Sequence, residues 1–468
     1  MNIKINLRAH RIASCLAGLL VPAAQGQGRP GYPKIYNIFL SNDVTSEEID
    51  LLARYDVLAL NIDFPYENPT GIAQIRALNP DIQILGYIPI NGTNTSHEFR
   101  PPETVSYKAW KGMNDGDFWL YRVDGGYASD WPGKLTTNLT PNSPVNAQGE
   151  KYWEWFARFV YEVAWEEGNG PWDGIILDDV WDDIAWLNSL IPSPIDSDRN
   201  GIPDDNVQLN LWWKAANDSC VTRVRELLGP NVALMGNGGN SHIAELNGTM
   251  IENFPRHGPV DQGNPYGYAW RHWTVDGPNA YLVREQQYNP TPNGLMVVHT
   301  PWSGTRQAPN PANGFERHKR LCLATALLGD GYFAMDEDWD EHDSLWWDPD
   351  YDIYLGAPLG PAYTVQSGGQ TLWRRDYEAA MVLINPNNSA VASTTELPGL
   401  AGWSAYIGPP PDLVPPGPVT VISAEALSGS SARLLWEAPG DGGSAVSSYV
   451  VRYSTSPSTQ GPSWVQAT

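Results

Sequence analysis

The chain has 468 residues, enough for one large domain with a smaller module beside it, and too many for a single domain of ordinary size. With 42% hydrophobic and 18% charged residues it has the composition of a folded globular protein, not of a disordered one. Its 53 acidic against 29 basic residues, a formal net charge of -24, argue against a polyanionic partner such as nucleic acid and leave neutral ligands as the better match.

Residues 1–26 read as a secretory signal peptide. Lys4, Arg8 and Arg11 precede the apolar run from Ile12 to Ala24, and Ala24 and Gly26 are small residues suited to cleavage before Gln27. The expectation is a secreted, extracellular mature protein of bacterial type. No later stretch reaches the ~20 apolar residues of a membrane span. Cys220 and Cys322 are the cysteines left after the signal, so the chain carries either one disulfide or two buried thiols, and no disulfide framework.

From residue 31 to 370, short runs rich in Val, Ile and Leu alternate with longer segments of helical periodicity. The predicted strands are 34–41, 57–63, 83–90, 174–179, 232–237, 248–254, 295–301 and 331–338. Between most of them lie amphipathic stretches, at 46–55, 149–168, 211–229 and 315–330. Strands that are apolar on both faces and separated by helices require a parallel sheet with helical cover, and eight repeats predict a closed (β/α)8 TIM barrel in the α/β class. A doubly wound sheet is the alternative, but no glycine-rich phosphate loop follows the first strand.

Residues 371–408 look like a small β appendage, and 409–418, "PPPDLVPPGP", form a stiff proline-rich linker. Residues 419–468 alternate like strands between Gly/Ser/Asp turns. They resemble the first part of a fibronectin type III domain, with Trp436, Tyr449 and Tyr453 at strand positions. Such a sandwich needs ~100 residues, so the expectation is a truncated all-β module.

In a (β/α)8 barrel, carboxylates at the C-terminal strand ends face the mouth where chemistry is done. Asp178 ends the fourth strand, with Asp179, Asp182 and Asp183 after it; Glu252 lies near the end of the sixth; Asp336, Glu337 and Asp338 close the eighth; and Asp63 closes the second. Glycosidic cleavage needs one protonated and one ionised carboxyl flanking the bond, and Asp178 with Glu252 is the natural pair. The bland readings are a turn-capping Asp178 and a salt-bridged Glu252. Asp179, Asp63, His299, Trp302, Asp336, Glu337 and Trp339 are the candidate substrate contacts, although the acidic run 336–343 reads more readily as a solvated or cation-binding loop than as a catalytic centre, and His299 equally as a satisfied mouth histidine. The 21 Trp and 22 Tyr are mostly core, but Trp181, Trp302, Trp339, Trp346 and Trp347 fall in mouth loops, where flat rings suit the C–H faces of sugars.

A second acidic segment, "DSDRNGIPDD" at 196–205, has the ligand rhythm of a calcium loop. Asp196, Asp198 and Asn200 alternate, Gly201 makes the sharp turn, Ile202 offers a carbonyl, and Asp204 and Asp205 follow. The twelfth position is Val207 instead of Glu, so the alternatives are a structural Ca2+ site and an empty acidic turn. No catalytic cofactor is expected, and zinc-hydrolase and serine-esterase signatures such as HExxH and GxSxG are missing.

The segments "WDGIILDDV", "GYFAMDEDWDEH" and 346–386 resemble hypothetical glycosyl hydrolase family 15 over about residues 31 to 400. The "LDD" strand ending is shared with endo-acting polygalactosaminidases. The resemblance implies a glycosidase barrel acting on a polysaccharide or oligosaccharide. In similar retaining barrels the Asp-Gly-x-x-x-Asp pattern places the nucleophile at the position of Asp178, and an acid on the sixth strand, here Glu252, serves as acid/base. The competing expectation is a non-catalytic carbohydrate-binding barrel.

Overall fold

The computed structural model describes residues 2–6, 31–167, 172–238, 244–255, 269–288, 294–301, 315–336, 342–343, 345–394, 397–410, 420–428, 431–437, 452–453 and 465–466. Eight parallel strands form its centre: β1 Tyr36–Phe39, β2 Val57–Asn61, β3 Gln83–Pro89, β4 Gly174–Asp178, β5 Ala233–Asn237, β6 Gly248–Ile251, β7 Val297–Pro301 and β8 Tyr332–Asp336. Each pairs with its neighbours in chain order, without the reversal that a doubly wound sheet requires. A parallel bridge from Ile35 to Phe333, with the Phe333 amide bonded to the Lys34 carbonyl at 2.9 Å, brings the last strand against the first, so that the sheet curls into a nearly closed barrel.

Two apolar layers hold it. Tyr36, Ile38, Val57, Ala59, Leu85, Ile176, Ala233, Met235, Met250, Val297 and Ala334 fill the interior. The alternate residues, among them Leu58, Leu60, Ile84, Ile175, Leu177, Leu234, Ile251 and Val298, point outward into the helical layer. Strands buried on both sides must be apolar at consecutive positions, hence the unbroken runs in the sequence.

The helical cover is α1 Ser46–Leu52, α2 Gly71–Leu78, α3 Val105–Asp115, α4 Tyr152–Phe159, α5 Asn206–Leu228, α6 Tyr281–Gln287 and α7 Phe315–Leu327. Thr45 and Glu48 form a capping box that starts α1, and α4 runs on as a π-helical segment, Val160–Glu167. Cys220 on α5 and Cys322 on α7 are buried free thiols.

Beyond the barrel, β9 Tyr363–Ser367, β10 Gln370–Asp376, β11 Met381–Asn385 and β12 Ser404–Gly408 make an antiparallel meander, which thus begins ahead of residue 371. It is fastened to the end of α7: the Tyr377 hydroxyl donates to the Leu327 carbonyl at 2.6 Å, and Arg375 bonds the Gly329 carbonyl and Asp330. Further on, Thr420–Ser428 and Ser431–Glu437 form an antiparallel hairpin, and Asn2–Asn6 pairs with its second strand. Most of the fibronectin-like segment and residues 7–30 lie outside the described residues.

Gly174 opens β4 at a tight place in the barrel wall. A Cβ there would meet the Ala233 carbonyl oxygen at 2.2 Å and the Ala233 Cβ at 2.6 Å. Gly174→Ala should therefore cost about 1–3 kcal/mol by overpacking, measured as a lower denaturation midpoint with an unchanged slope.

Candidate active site

Side chains along a strand alternate between its two faces, so the inward parity of each strand's buried residues fixes which side chain stands at the mouth. On β3 the inward series Leu85 leads to Tyr87; on β4 Ile176 leads to Asp178; on β5 Met235 leads to Asn237; on β7 Val297 leads to His299; and on β8 Ala334 leads to Asp336. Met250 on β6 leads in the same way to Glu252, one residue past the strand.

These side chains meet. Asp178 accepts hydrogen bonds from the Tyr87 hydroxyl, from Asn237 Nδ2 at 2.8 Å and from the Asp179 amide at 2.8 Å. The same Asn237 Nδ2 donates to Glu252 Oε2 at 3.2 Å. One amide nitrogen in reach of both carboxylates limits the distance between the two accepting oxygens to about 6 Å. Burial and then the charge of Glu252 raise the pKa of Asp178 above the usual carboxylate range, against the pull of the Tyr87 hydrogen bond and the Lys134 charge. Asp179 and Asn253, the residues just after the two carboxylates, have φ of 58° and 61°. That conformation costs a non-glycine residue roughly 1–3 kcal/mol and concentrates at functional sites.

Lys134 supplies a cation next to the pair. It comes from a small hairpin, Gly92–Asn94 with Lys134–Thr136, which closes only because Gly92 has no Cβ to strike the Leu135 carbonyl 2.2 Å away. Its ammonium bonds Asp179, Asp130 at 2.8 Å and Asn91 at 2.6 Å. Burial, then the charge of Asp178, pushes Asp179 up to about 8 despite this lysine.

On the opposite wall, His299 Nε2 and His342 Nδ1 both bond Asp336 Oδ2, at 2.9 Å and 2.6 Å. His342 Nε2 lies 4.0 Å from Glu252 Oε1. The two histidines hold Asp336 well below the usual carboxylate range, against the effect of its burial. Burial alone would lower His342, but its hydrogen bond to Asp336 and the surrounding carboxylates push it up to about 9.

The structure separates the remaining candidates. Asp63 is buried away from this group, with Oδ1 accepting the amides of Val105 (2.8 Å) and Ser106 (3.2 Å) at the start of α3, so it is a helix cap and not a sugar contact. Asp179 bonds Lys134, and Asp336 bonds both His299 and His342, while the buried Nδ1 of His299 has no hydrogen-bond partner among the described residues. Trp302, Glu337 and Trp339 lie outside the described residues. Asp182 faces Lys214 at 3.7 Å, and Trp181 packs edge-on to the exposed Trp186 with ring centres 5.2 Å apart.

In the acidic loop, Asp196 accepts the amides of Asn200 and Gly201, Asp198 that of Asn200, and Asp204 that of Ser197. Asn200 Oδ1 accepts the amide of Ile202, whose side chain is exposed. Asp205 caps α5 through the Val207 and Gln208 amides. Among the described residues no basic side chain pairs with Asp196, Asp198 or Asp204, although Asp196 is buried.

Sequence reasoning passed over Tyr87, Lys134, Asn237 and His342. Strand parity marks Tyr87 and Asn237; no local pattern marks Lys134; and His342 was visible only as the last residue of the eighth-strand segment.

An eight-stranded barrel with hydrogen-bonded carboxylates gathered at its C-terminal mouth is a glycoside-hydrolase-like barrel. The profile of hypothetical glycosyl hydrolase family 15 matches residues 76–381, more than half of the chain, and the chain belongs to this family. No curated protein matches it. Similar solved structures include α-L-fucosidase isoenzyme 2 from Paenibacillus thiaminolyticus, at 13% identity and TM-score 0.40, covering 69% of this chain and 48% of the fucosidase. The chain thus spans about half the length of that enzyme. The debranching enzyme from Nostoc punctiforme is 10% identical with TM-score 0.38, covering 87% and 96% of the two chains. The Arthrobacter globiformis T6 isomalto-dextranase complexed with panose is 10% identical with TM-score 0.39, covering 89% and 75%.

The raised pKa of Asp179 has a consequence for stability. Its folded value, about 8, exceeds the unfolded value of about 3.9, so the folded state holds an extra proton between them and loses stability as pH rises through that window. Asp179→Asn removes this slope. The difference in unfolding free energy between variant and wild type should shift in the variant's favour from about pH 4 to about pH 8 and level off above, as read from urea titrations at each pH.

Proposed function

We propose that the protein is a secreted glycoside hydrolase that cleaves O-glycosidic bonds of a neutral or amino-sugar polysaccharide with retention of configuration. The observation that carries this reading is the Asn237 amide bonded to both Asp178 and Glu252. Carboxyl groups about 5–5.5 Å apart suit a double displacement, whereas inversion leaves ~6.5–9.5 Å for a water. The two oxygens that accept from Asn237 are no more than about 6 Å apart, and this closeness supports the retaining reading.

In this mechanism Asp178, oriented by three donors, attacks the anomeric carbon. The glycosidic C–O bond breaks, and the proton of Glu252 passes to the leaving oxygen. Two neighbouring carboxylates resist carrying two negative charges, so the pair keeps one proton, which this mechanism requires on Glu252 when Asp178 attacks. Once Asp178 is esterified its charge is gone. Glu252 then takes a proton from the water that attacks the anomeric carbon, and the ester C–O bond breaks to restore Asp178.

The exposed ring of Trp186 beside Trp181 offers an apolar face for a sugar near the fourth-strand loop. Residues 1–26 would direct export, and residues 419–468 would belong to a fibronectin type III module. Calcium in the loop of Asp196, Asp198, Asn200, Ile202, Asp204 and Asp205 would neutralise carboxylates that have no basic partner among the described residues. It would brace the start of α5 and would take no part in the chemistry.

The first test is reducing-sugar release over a panel of α- and β-linked polysaccharides, galactosaminoglycans included. Asp178→Asn and Glu252→Gln should each lose about 10³-fold or more in kcat, and NMR of the first-formed anomer should show retention. Equal glycan binding by all three proteins without cleavage would instead establish a carbohydrate-binding barrel. For the loop, millimolar Ca2+ should raise the Tm relative to excess EGTA, and Asp196→Ala should abolish the difference.

A further inference from the structure

We propose that His342 is a positioning residue for Glu252: anchored on Asp336 through Nδ1, it holds a cationic edge against the carboxylate as the latter releases and regains its proton. This rests on the reading of Glu252 as the acid/base.

Three contacts fix the imidazole. Its Nδ1 bonds Asp336 Oδ2 at 2.6 Å, and the same oxygen is held from behind by His299 Nε2 at 2.9 Å. The backbone carbonyl of His342 accepts the Leu40 amide at 2.6 Å, which ties the residue to the end of β1. The remaining edge, Nε2, lies 4.0 Å from Glu252 Oε1. Among the described residues, the charged and titratable groups facing the ring are Asp336 from β8, His299 from β7, Glu252 after β6 and, further off, Asp178 from β4. Three carboxylates around one imidazole favour its protonated form.

The consequence follows from Coulomb attraction in a poorly solvated site. When the Glu252 proton moves to the leaving oxygen and the glycosidic bond breaks, the new carboxylate forms beside an existing positive charge. When water later gives its proton back, that charge is still in place, because Asp336 and not Glu252 anchors it. His342 touches neither the sugar nor the anomeric carbon in this scheme, and acts through Glu252.

Two measurements test this on the full chain. In histidine-labelled protein, the NMR signal missing from His342→Gln should titrate well above the ordinary 6.5, and should fall by ~1 pH unit or more in Asp336→Asn and also fall in Glu252→Gln. A His342 that titrates near 6.5 overturns the proposal. In the pH profile of hydrolysis of the polysaccharide found by the panel, loss of the cation lets Glu252 keep its proton to higher pH. His342→Gln should move the basic limb up by ~1 unit and lower kcat at unchanged KM, and His342→Lys should bring the limb back. Thermal melts confirm that both variants are folded. A folded His342→Gln with an unmoved limb overturns the proposal, as does one zinc ion bound per chain and lost in His342→Gln, which would make the cluster a metal site. If Glu252→Gln is inactive and His342→Gln unaltered, this inference alone fails; if Glu252→Gln keeps full activity, the catalytic reading fails first and takes this inference with it.

Discussion

Closure of eight parallel strands is the constraint on which the site depends. In a sheet curled into a nearly closed barrel each strand has one face for the interior and one for the helices, and successive residues must alternate between them. Apolar side chains fill the interior up to its last layer, where the same alternation brings Tyr87, Asp178, Asn237, His299 and Asp336 to the mouth, with Glu252 just past β6. The rigidity of the wall, where Gly174 has no room even for a methyl group, holds them in hydrogen-bond register.

Charge balance is the second organising feature. Asp130, Asp178, Asp179, Glu252 and Asp336 crowd a largely buried mouth, which would be untenable without opposing charge. Lys134 answers Asp130 and Asp179 on one wall, and His342 with His299 answers Asp336 on the other. Between these walls Asp178 and Glu252 share one amide donor, Asn237 Nδ2.

The parts differ in how far they could be read beforehand. All eight strands were legible, because burial on both faces leaves a contiguous apolar signature that turn residues delimit. Asp178 and Glu252 were legible as strand-end acids. Asp63 had the same signature and a different role, because the chain turns after β2 and spends this carboxylate on the amides of α3. Lys134 was illegible: it lies far along the chain from Asp179, and only the closure of a hairpin on Gly92 brings the two together.

By itself the sequence determined the barrel, its order of strands and the height at which the acids stand, since these follow from local periodicity and from the rule that buried strands are apolar on both faces. Tertiary structure alone decided which acid is paired with what. An ion pair or a hydrogen bond depends on separation in space, and the partners here, Lys134 with Asp179, His342 with Asp336, and Asn237 between Asp178 and Glu252, arrive from different elements. Periodicity says which way a side chain points, but not what it meets there.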